Sequence, residues 1–413
     1  MVIMLKLGFF GFGCVGQGLY DIMGQTANFP AQVVKIAIKD IAKPRSLPMS
    51  RFTTNPDDIL EDPSINVVVE MTNSPEEAFF IVRKAMLKGK HVVTANKKML
   101  ADHLPELVEL QHKTGTSLLY EAAVCGSIPI IRNLAEYYDN ELLHSVSGIF
   151  NGTSNYILSK IFSEGLDYDT ALRQAQDLGF AETDPTSDVG GFDALYKLCL
   201  IAAQSYGLFI KHEEVLNIGI EHLNDFDIRY AKEKSYKLKL VAQAVKTGDK
   251  QLLLAVMPQF IPKGNYLHKV DMEYNAVVVE AAFSDRQVFV GKGAGGHPTG
   301  SAMISDISAL RYNYRYEYRK VSPNNLLKYH TDVTAQVYCR TKNQAEAAYL
   351  PFQHIAVKYS EDGFHYIIGT MSFTEILQHK RYLQQNGIFL ALMPQQEFAK
   401  VLRLPTKRYA VTV

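Results

Sequence analysis

Apolar positions in the first 130 residues fall into short runs separated by amphipathic stretches. Runs at 5–10, 33–38, 67–71, 91–94 and 117–120 are rich in branched and aromatic side chains and predict buried strands. Between them, 76–88 and 104–113 carry apolar residues at helical spacing and run out near Gly89 and Gly115, good helix stops. This alternation predicts an α/β fold around a parallel sheet. Beyond residue 131 the rhythm changes. Segments 154–163, 168–178 and 191–205 read as helices, while 251–258 and 275–290 read as antiparallel strands, the second folding over at Asp285-Arg286. A glycine-rich return from Gly291 to Gly296 opens a helical run at 301–310, expected to rejoin the first domain. A polar, tyrosine-rich bridge, 311–325, reads as a linker. The last segment gives a strand at 334–341, a short helical stretch, a hairpin turning at 361–363, a helix at 373–385 and a strand at 388–393. That order is βαββαβ. The expected organisation is therefore a domain at 1–130 completed by 295–315, an α+β domain at 131–310 and a small domain at 326–413.

Bulk properties narrow the function without choosing it. The 413 residues exceed one ordinary core, and 47% hydrophobic with 21% charged residues is globular composition. Lys plus Arg and Asp plus Glu both number 43, so nothing suggests a nucleic-acid or membrane-surface partner. Cys14, Cys125, Cys199 and Cys339 lack metal-like spacing and read as small buried thiols, which suits a reducing cytoplasm. The N-terminus reads as a strand entering a glycine turn, with no signal-peptide pattern, and no 18-residue apolar stretch occurs. Asn151-Gly-Thr153 fits a glycosylation sequon that has no secretory context to use it.

The turn Gly11-Phe-Gly13-Cys-Val-Gly16 follows the first strand and opens a helix. Gly11 allows a tight turn, Gly13 lets backbone approach a pyrophosphate, and Gly16 lets helix and strand close up. Cys14 and Val15 complete this phosphate-binding turn, whose free N–H groups favour an anion. A dinucleotide such as NAD or NADP is the expected cofactor. The second strand runs into Lys39 and Asp40, with Arg45 close behind. An acidic residue there favours NAD and a basic one meets the 2′-phosphate of NADP, so both remain open, with a lean to NADP. Lys39 could equally be a solvated surface lysine.

The densest chemistry lies at 178–197, where Glu182, Asp184, Asp188, Asp193 and Lys197 fall close together. The first three occupy a Pro/Gly-containing loop. Asp193 and Lys197 stand four apart on one face of a predicted apolar helix. That pair is either an ordinary surface salt bridge or a buried lysine poised to move a proton; the carboxylate loop favours the second. Lys97 directly follows the strand at 91–94, where ligands of a doubly wound sheet bind, which places it near a nicotinamide ring. Its neighbour Lys98 reads as solvated. Glu121, after the fifth strand, either caps a turn or helps a Gly/Pro loop of carbonyls hold a hard monovalent cation.

Taken together, GFGCVG, VVTANK, YEAAVCGSIPII, GIFNGTSNYIL, LGFAETDPTSDVGGFDALYKL and GKGAGGHPTGSAMISDI resemble the homoserine dehydrogenase family, in family order across roughly residues 3–310. The resemblance implies a Rossmann-type domain, an α+β substrate and dimerisation domain, and a cytoplasmic homodimer or homotetramer. The implied reaction is NAD(P)-dependent interconversion of L-homoserine and L-aspartate 4-semialdehyde, on the route to threonine and methionine. It implies Lys197 as the acid/base lysine, Lys97 as a second lysine at the substrate hydroxyl, and Asp193 as the residue orienting Lys197 and the substrate amine. Glu182 and Asp188 would bind the substrate ammonium, Thr72 would flank the nicotinamide, and Gly295 would approach the cofactor. Glu121 with the carbonyls of Val124, Gly126 and Ile128 matches the family's sodium-type site. Two departures stand out. Lys39 replaces the arginine that often precedes the acidic residue. The stretch Arg340-Thr-Lys-Asn-Gln lacks the ligand-binding turn of the family's C-terminal ACT domain, which implies a degenerate ACT-like domain and makes threonine feedback doubtful. With no kinase-like N-terminal extension, a monofunctional enzyme is expected. Two rivals are another Rossmann dehydrogenase of a small carbonyl or amino acid, and a non-catalytic NAD(P) sensor. The sensor should lack Lys97 or Lys197, and both are here. The C-terminal segment could also serve purely in oligomerisation.

Overall fold

The computed structural model describes residues 4–139, 142–321, 327–361 and 363–394. The first sheet contains β1 (Leu5–Phe10), β2 (Ala31–Ala37), β3 (Phe52–Thr53), β4 (Val67–Glu70), β5 (His91–Thr94) and β6 (Leu118–Leu119). Its order is β3-β2-β1-β4-β5-β6 with every pair parallel. Both faces are covered, which is why Val67, Val68 and Val69 are all fully buried and read as one apolar run. Connections leave in opposite directions from β1 and β4, so a crevice opens beyond their carboxyl ends.

Helix Gly296–Leu310, which follows the glycine-rich return, packs on helix Cys14–Gln25 of this layer. Glycines permit the approach: a methyl on Gly300 would stand 2.8 Å from the Leu19 backbone nitrogen.

The second sheet has eleven strands: β7 (Leu143–Ile149), β8 (Leu216–Asn217), β9 (Tyr236–Gly248), β10 (Gln251–Pro262), β11 (Tyr274–Ala281), β12 (Asp285–Lys292), β13 (Lys328–Tyr329), β14 (Thr334–Thr341), β15 (His354–Glu361), β16 (Phe364–Ser372) and β17 (Phe389–Leu392). The main path runs β12-β11-β7-β9-β10-β17-β14-β16-β15, with β8 and β13 also paired to β10. Sequence reading placed no strand at β7 or β9. In β9, residues Leu238 to Ala244 are buried in succession, Lys239 among them, although Tyr236 to Leu240 alternate apolar and polar.

The C-terminal βαββαβ order forms, with helices Gln344–Ala348 and Phe373–Gln385. Its sheet runs on from the preceding one, because Leu392 of β17 pairs with Gln259 of β10. The bridge after residue 310 is a packed strap rather than a solvated linker: Tyr316 and Tyr318 are buried, and the Tyr316 carbonyl accepts a hydrogen bond from Gln111 at 2.9 Å. Asp362 in the hairpin turn, 322–325 of the bridge and 395–413 of the last domain lie outside the described residues. Three thiols are buried as expected, but Cys14 is exposed, because it opens a helix whose amino end faces solvent. No helix among the described residues is long and apolar enough to cross a membrane.

Candidate active site

Helix Phe192–Tyr206 starts at Gly191, whose φ of +78° favours glycine, and buries most of its length. Asp193 and Lys197 therefore sit one turn apart inside the protein. Lys197 Nζ donates to Asp193 Oδ2 at 2.7 Å and to the Phe150 carbonyl at 2.7 Å. The same carbonyl accepts from Asn275 Nδ2 at 2.9 Å, which fixes its direction. Lys97 arrives from the other sheet. It opens helix Lys97–Thr114 straight after β5, with Asn96 capping the helix, and reaches Asp193 Oδ1 at 3.0 Å. One carboxylate thus gathers two lysines from two layers.

The electrostatics follow from that meeting. Burial would raise the Asp193 carboxyl, but Lys197 and Lys97 outweigh it and hold it well below the ordinary carboxylate range. Asp193 in turn raises the Lys97 ammonium above its usual value. Asp188 lies on the approach to the helix, and burial together with Asp193 pushes its carboxyl up to about 6. Asn151 Nδ2 touches both acids, Asp188 at 2.6 Å and Asp193 at 2.9 Å. Glu182 is exposed at the rim, close enough for its charge to act on Lys97.

The glycine turn is shaped for an anion. Gly11 has φ +96°, and a methyl there would stand 2.7 Å from the Met71 carbonyl oxygen. A methyl on Gly16 would stand 2.8 Å from the Gly11 carbonyl oxygen. Gly13 and Cys14 are exposed at the amino end of helix Cys14–Gln25, with Val15 half-buried behind them. Gly295, at φ +119°, opens the second helix beside them, since a methyl on Gly296 would stand 2.8 Å from the Cys14 carbonyl oxygen. Two helix amino ends face one spot, which fits a pyrophosphate. Thr72 sits at the crevice, its N–H and hydroxyl both donating to Glu70 at 2.6 Å, and Thr94 donates to the same carboxylate at 2.6 Å. Burial pushes the Glu70 carboxyl up. Lys39 is exposed and pairs with Glu77 at 2.6 Å. Asp40 accepts from the Ala42 N–H at 2.9 Å.

The structure brings Lys97, Asp188, Asp193 and Lys197 together, with Glu182 at the edge. It uses the Glu121 side chain elsewhere. That carboxylate accepts from the Ile131 and Arg132 amides at 2.8 Å each, capping helix Ile130–Ala135, and burial with nearby Asp306 pushes it up to about 8. The main chain beside it is unusual: Cys125 and Gly126 have consecutive positive φ values, and among the described residues the Val124 and Gly126 carbonyls accept no backbone hydrogen bond outside regular elements. Among the described residues no group of three or more His, Cys, Asp or Glu could hold a metal ion. Sequence reading missed Asn151, Asn275 and Glu70. Asn151 was in view as half of an idle sequon, and its place before a helical run marks a cap. Glu70 interrupts an apolar strand, a signal of a special environment. Asn275 carried no local signal.

Comparisons with known proteins agree with this geometry. Residues 129–308 match the family model for homoserine dehydrogenase, and 11–121 match that for the homoserine dehydrogenase NAD binding domain. The chain is 34% identical over 395 residues to the homoserine dehydrogenase of Bacillus subtilis, covering 91% of this chain and 87% of the relative. It is 39% identical over 313 residues to that of Synechocystis, covering 73% of this chain and 72% of the relative. Among solved structures, a homoserine dehydrogenase from Thiobacillus denitrificans superposes with a TM-score of 0.82 at 29% identity, covering 95% of this chain and 98% of the other. A hyperthermophilic archaeal homoserine dehydrogenase in complex with NADPH superposes with a TM-score of 0.65 at 26% identity, covering 76% and 99%. With its parallel-sheet cofactor layer and the two lysines gathered on Asp193, the chain belongs to the homoserine dehydrogenase family of NAD(P)-dependent oxidoreductases.

Proposed function

We propose that this chain interconverts L-homoserine and L-aspartate 4-semialdehyde with Lys197 as the proton-transfer group, in the biosynthetic route to threonine and methionine. The observation that carries this is the convergence of Lys197 and Lys97 on Asp193, at 2.7 and 3.0 Å. The bound nicotinamide supplies or accepts the hydride. Everything else falls to the chain. Lys197, held by Asp193 and the Phe150 carbonyl, takes the hydroxyl proton in oxidation and returns it in reduction. Lys97 adds positive charge where alkoxide character develops, in a site walled from water on the Lys197 side. Asp188 and Glu182 offer negative charge to the substrate ammonium, and Asp193 orients Lys197 and that ammonium. Gly11, Gly13, Cys14, Val15 and Gly16, with Gly295, hold the pyrophosphate, while Thr72 flanks the nicotinamide.

NADP is the preferred cofactor in this reading, since exposed Lys39 can leave Glu77 for a 2′-phosphate. A monovalent cation fits the carbonyls of Val124, Gly126, Ile128 and Glu121, not the Glu121 side chain. The domain division at 1–130 with 295–315, 131–310 and 326–413, an ACT-like origin for the last, and a cytoplasmic homodimer or homotetramer belong to the same reading. Val290, exposed on edge strand β12, suits strand pairing with a second copy.

The test follows NADPH and NADH absorbance with purified protein and L-aspartate 4-semialdehyde, with and without threonine. Consumption with a preference for NADPH is expected. No consumption with either cofactor would overturn the reading. Activity unchanged by threonine is expected from the departed C-terminal turn.

A further inference from the structure

A single neutral side chain spans the two acids of the site. Asn151 is buried and stands at the start of helix Gly152–Glu164. Its carbonyl oxygen accepts from the Ser154 N–H at 2.7 Å, the ordinary duty of a helix cap. Its amide nitrogen carries two protons, and both go to carboxylates: Asp188 Oδ1 at 2.6 Å and Asp193 Oδ2 at 2.9 Å. A cap needs only the oxygen, so the two donated bonds call for a second explanation.

The chemistry of the position is demanding. The charged groups acting on Asp188 are Asp193 and Lys197 from helix Phe192–Tyr206 and Lys97 from the other layer. Both lysines already lie on Asp193, at 2.7 and 3.0 Å. Asp188 therefore faces a neighbouring carboxylate without a cation of its own at bonding distance among the described residues. A lysine or arginine in place of Asn151 would neutralise Asp188 and compete with an incoming ammonium. An apolar residue would leave two desolvated carboxylates side by side. A neutral double donor favours the charged form of both acids and leaves Asp188 with lone pairs to spare.

We propose that Asn151 is a positioning residue for the reaction: its amide fixes the spacing of Asp188 and Asp193 and keeps Asp188 charged and free to receive the substrate ammonium. This rests on the reading of Asp188 as an ammonium-binding group given above. Burial and Asp193 push the Asp188 carboxyl up to about 6, so kcat/KM for homoserine rises with pH through that value as Asp188 ionises. Loss of a hydrogen bond to the charged form raises it further.

The decisive variant is Asn151→Ser, which keeps an oxygen for the Ser154 N–H and removes the double donor. The acid limb of kcat/KM for homoserine should move up by about one pH unit, so that KM for homoserine rises about twofold at pH 7 and approaches about tenfold below pH 6. KM for NADPH and the melting temperature should stay near wild type. A purely structural cap predicts a wild-type pH profile for Asn151→Ser, and that result would overturn the proposal. Asp188→Asn separates the two readings. An unchanged KM for homoserine in that variant would remove Asp188 from the ammonium site, whatever Asn151 does. A raised KM there, with an unmoved limb in Asn151→Ser, would defeat the Asn151 proposal alone.

Discussion

Asp193 and Asp227 are both buried aspartates on helices, each paired with a buried cation, yet they are built differently. Asp227, on helix Asp225–Glu233, accepts from Arg340 Nε at 2.9 and 3.0 Å, from the Tyr338 hydroxyl at 2.9 Å and from the Asn224 N–H at 3.1 Å. Its charge is balanced one to one, and Arg340 is 3% exposed. The cluster ties the C-terminal βαββαβ unit to the helix beneath it and offers no face to solvent. Arg340, at the start of the stretch Arg340-Thr-Lys-Asn-Gln, serves as a bolt. Asp193 has two lysines, and Lys97 is 37% exposed. The titration directions part accordingly. Two cations outweigh burial at Asp193 and hold its carboxyl down, whereas at Asp227 burial prevails over Arg340 and the carboxyl is pushed up. Burial of charge alone does not mark a site. Surplus cationic partners with an opening to solvent do.

The contrast can be broken by four measurements. Lys197→Ala should lower turnover by roughly 10²–10⁴-fold while the protein still folds and binds cofactor, the effect expected for losing a positioned acid/base. A variant with near-normal turnover, in a stopped or continuous absorbance assay, would end the role given to Lys197. Arg340→Ala should cost about 3–5 kcal/mol of stability in urea unfolding, because it strands a buried carboxylate, with kcat/KM of the folded enzyme preserved. If activity falls instead while stability holds, the two clusters are not different in kind.

The third measurement uses pH. Asp193 is depressed in the folded state, so its contribution is present above the ordinary aspartate value and is lost as pH falls through the folded value. Asp227 is raised, so its contribution is complete below the ordinary value and declines as pH climbs through that value to the folded one. The stability gap between wild type and Asp193→Asn should therefore shrink on going from pH 7 toward pH 3, while the gap for Asp227→Asn should not. Parallel trends in urea unfolding would erase the distinction. The smallest effect belongs to Lys39→Ala, which should raise KM for NADPH about threefold, the worth of one exposed charge contact, and leave KM for NADH alone. Equal changes with both cofactors would remove Lys39 from the 2′-phosphate.

How much of this was legible depended on whether the signal was local. The glycine turn, the i,i+4 pair of Asp193 and Lys197, and Lys97 after β5 all sit in short stretches whose geometry follows from the element they occupy. Five strands of the first sheet came through for the same reason, while the two-residue edge strand β3 was not read. Strand β9 was missed although Tyr236 to Leu240 alternate apolar and polar; Lys239 is buried by reaching Asn155 and Asp271, partners its own neighbourhood does not announce. For Glu121 the sequence left a cap and a cation as alternatives, and the side chain forms the cap. Whether its carboxylate faces a cation or the amides of Ile131 and Arg132 depends on where a helix ten residues later begins. Lys39 meeting Glu77, and Asn275 meeting the Phe150 carbonyl, are long-range contacts with no trace in their own neighbourhoods.

Helix Gly296–Leu310 lies on helix Cys14–Gln25 although most of the chain separates them. This has a consequence on the ribosome. After β6 emerges, synthesis continues to Gly296 before the missing half of the cofactor cradle exists, a wait of roughly 10–35 s at ordinary elongation rates. Until then Gly18 and Leu19 face outward, and the glycine turn has one helix amino end where the finished protein has two. A nascent chain stopped short of Gly296 would carry the glycine turn with one helix amino end beside it.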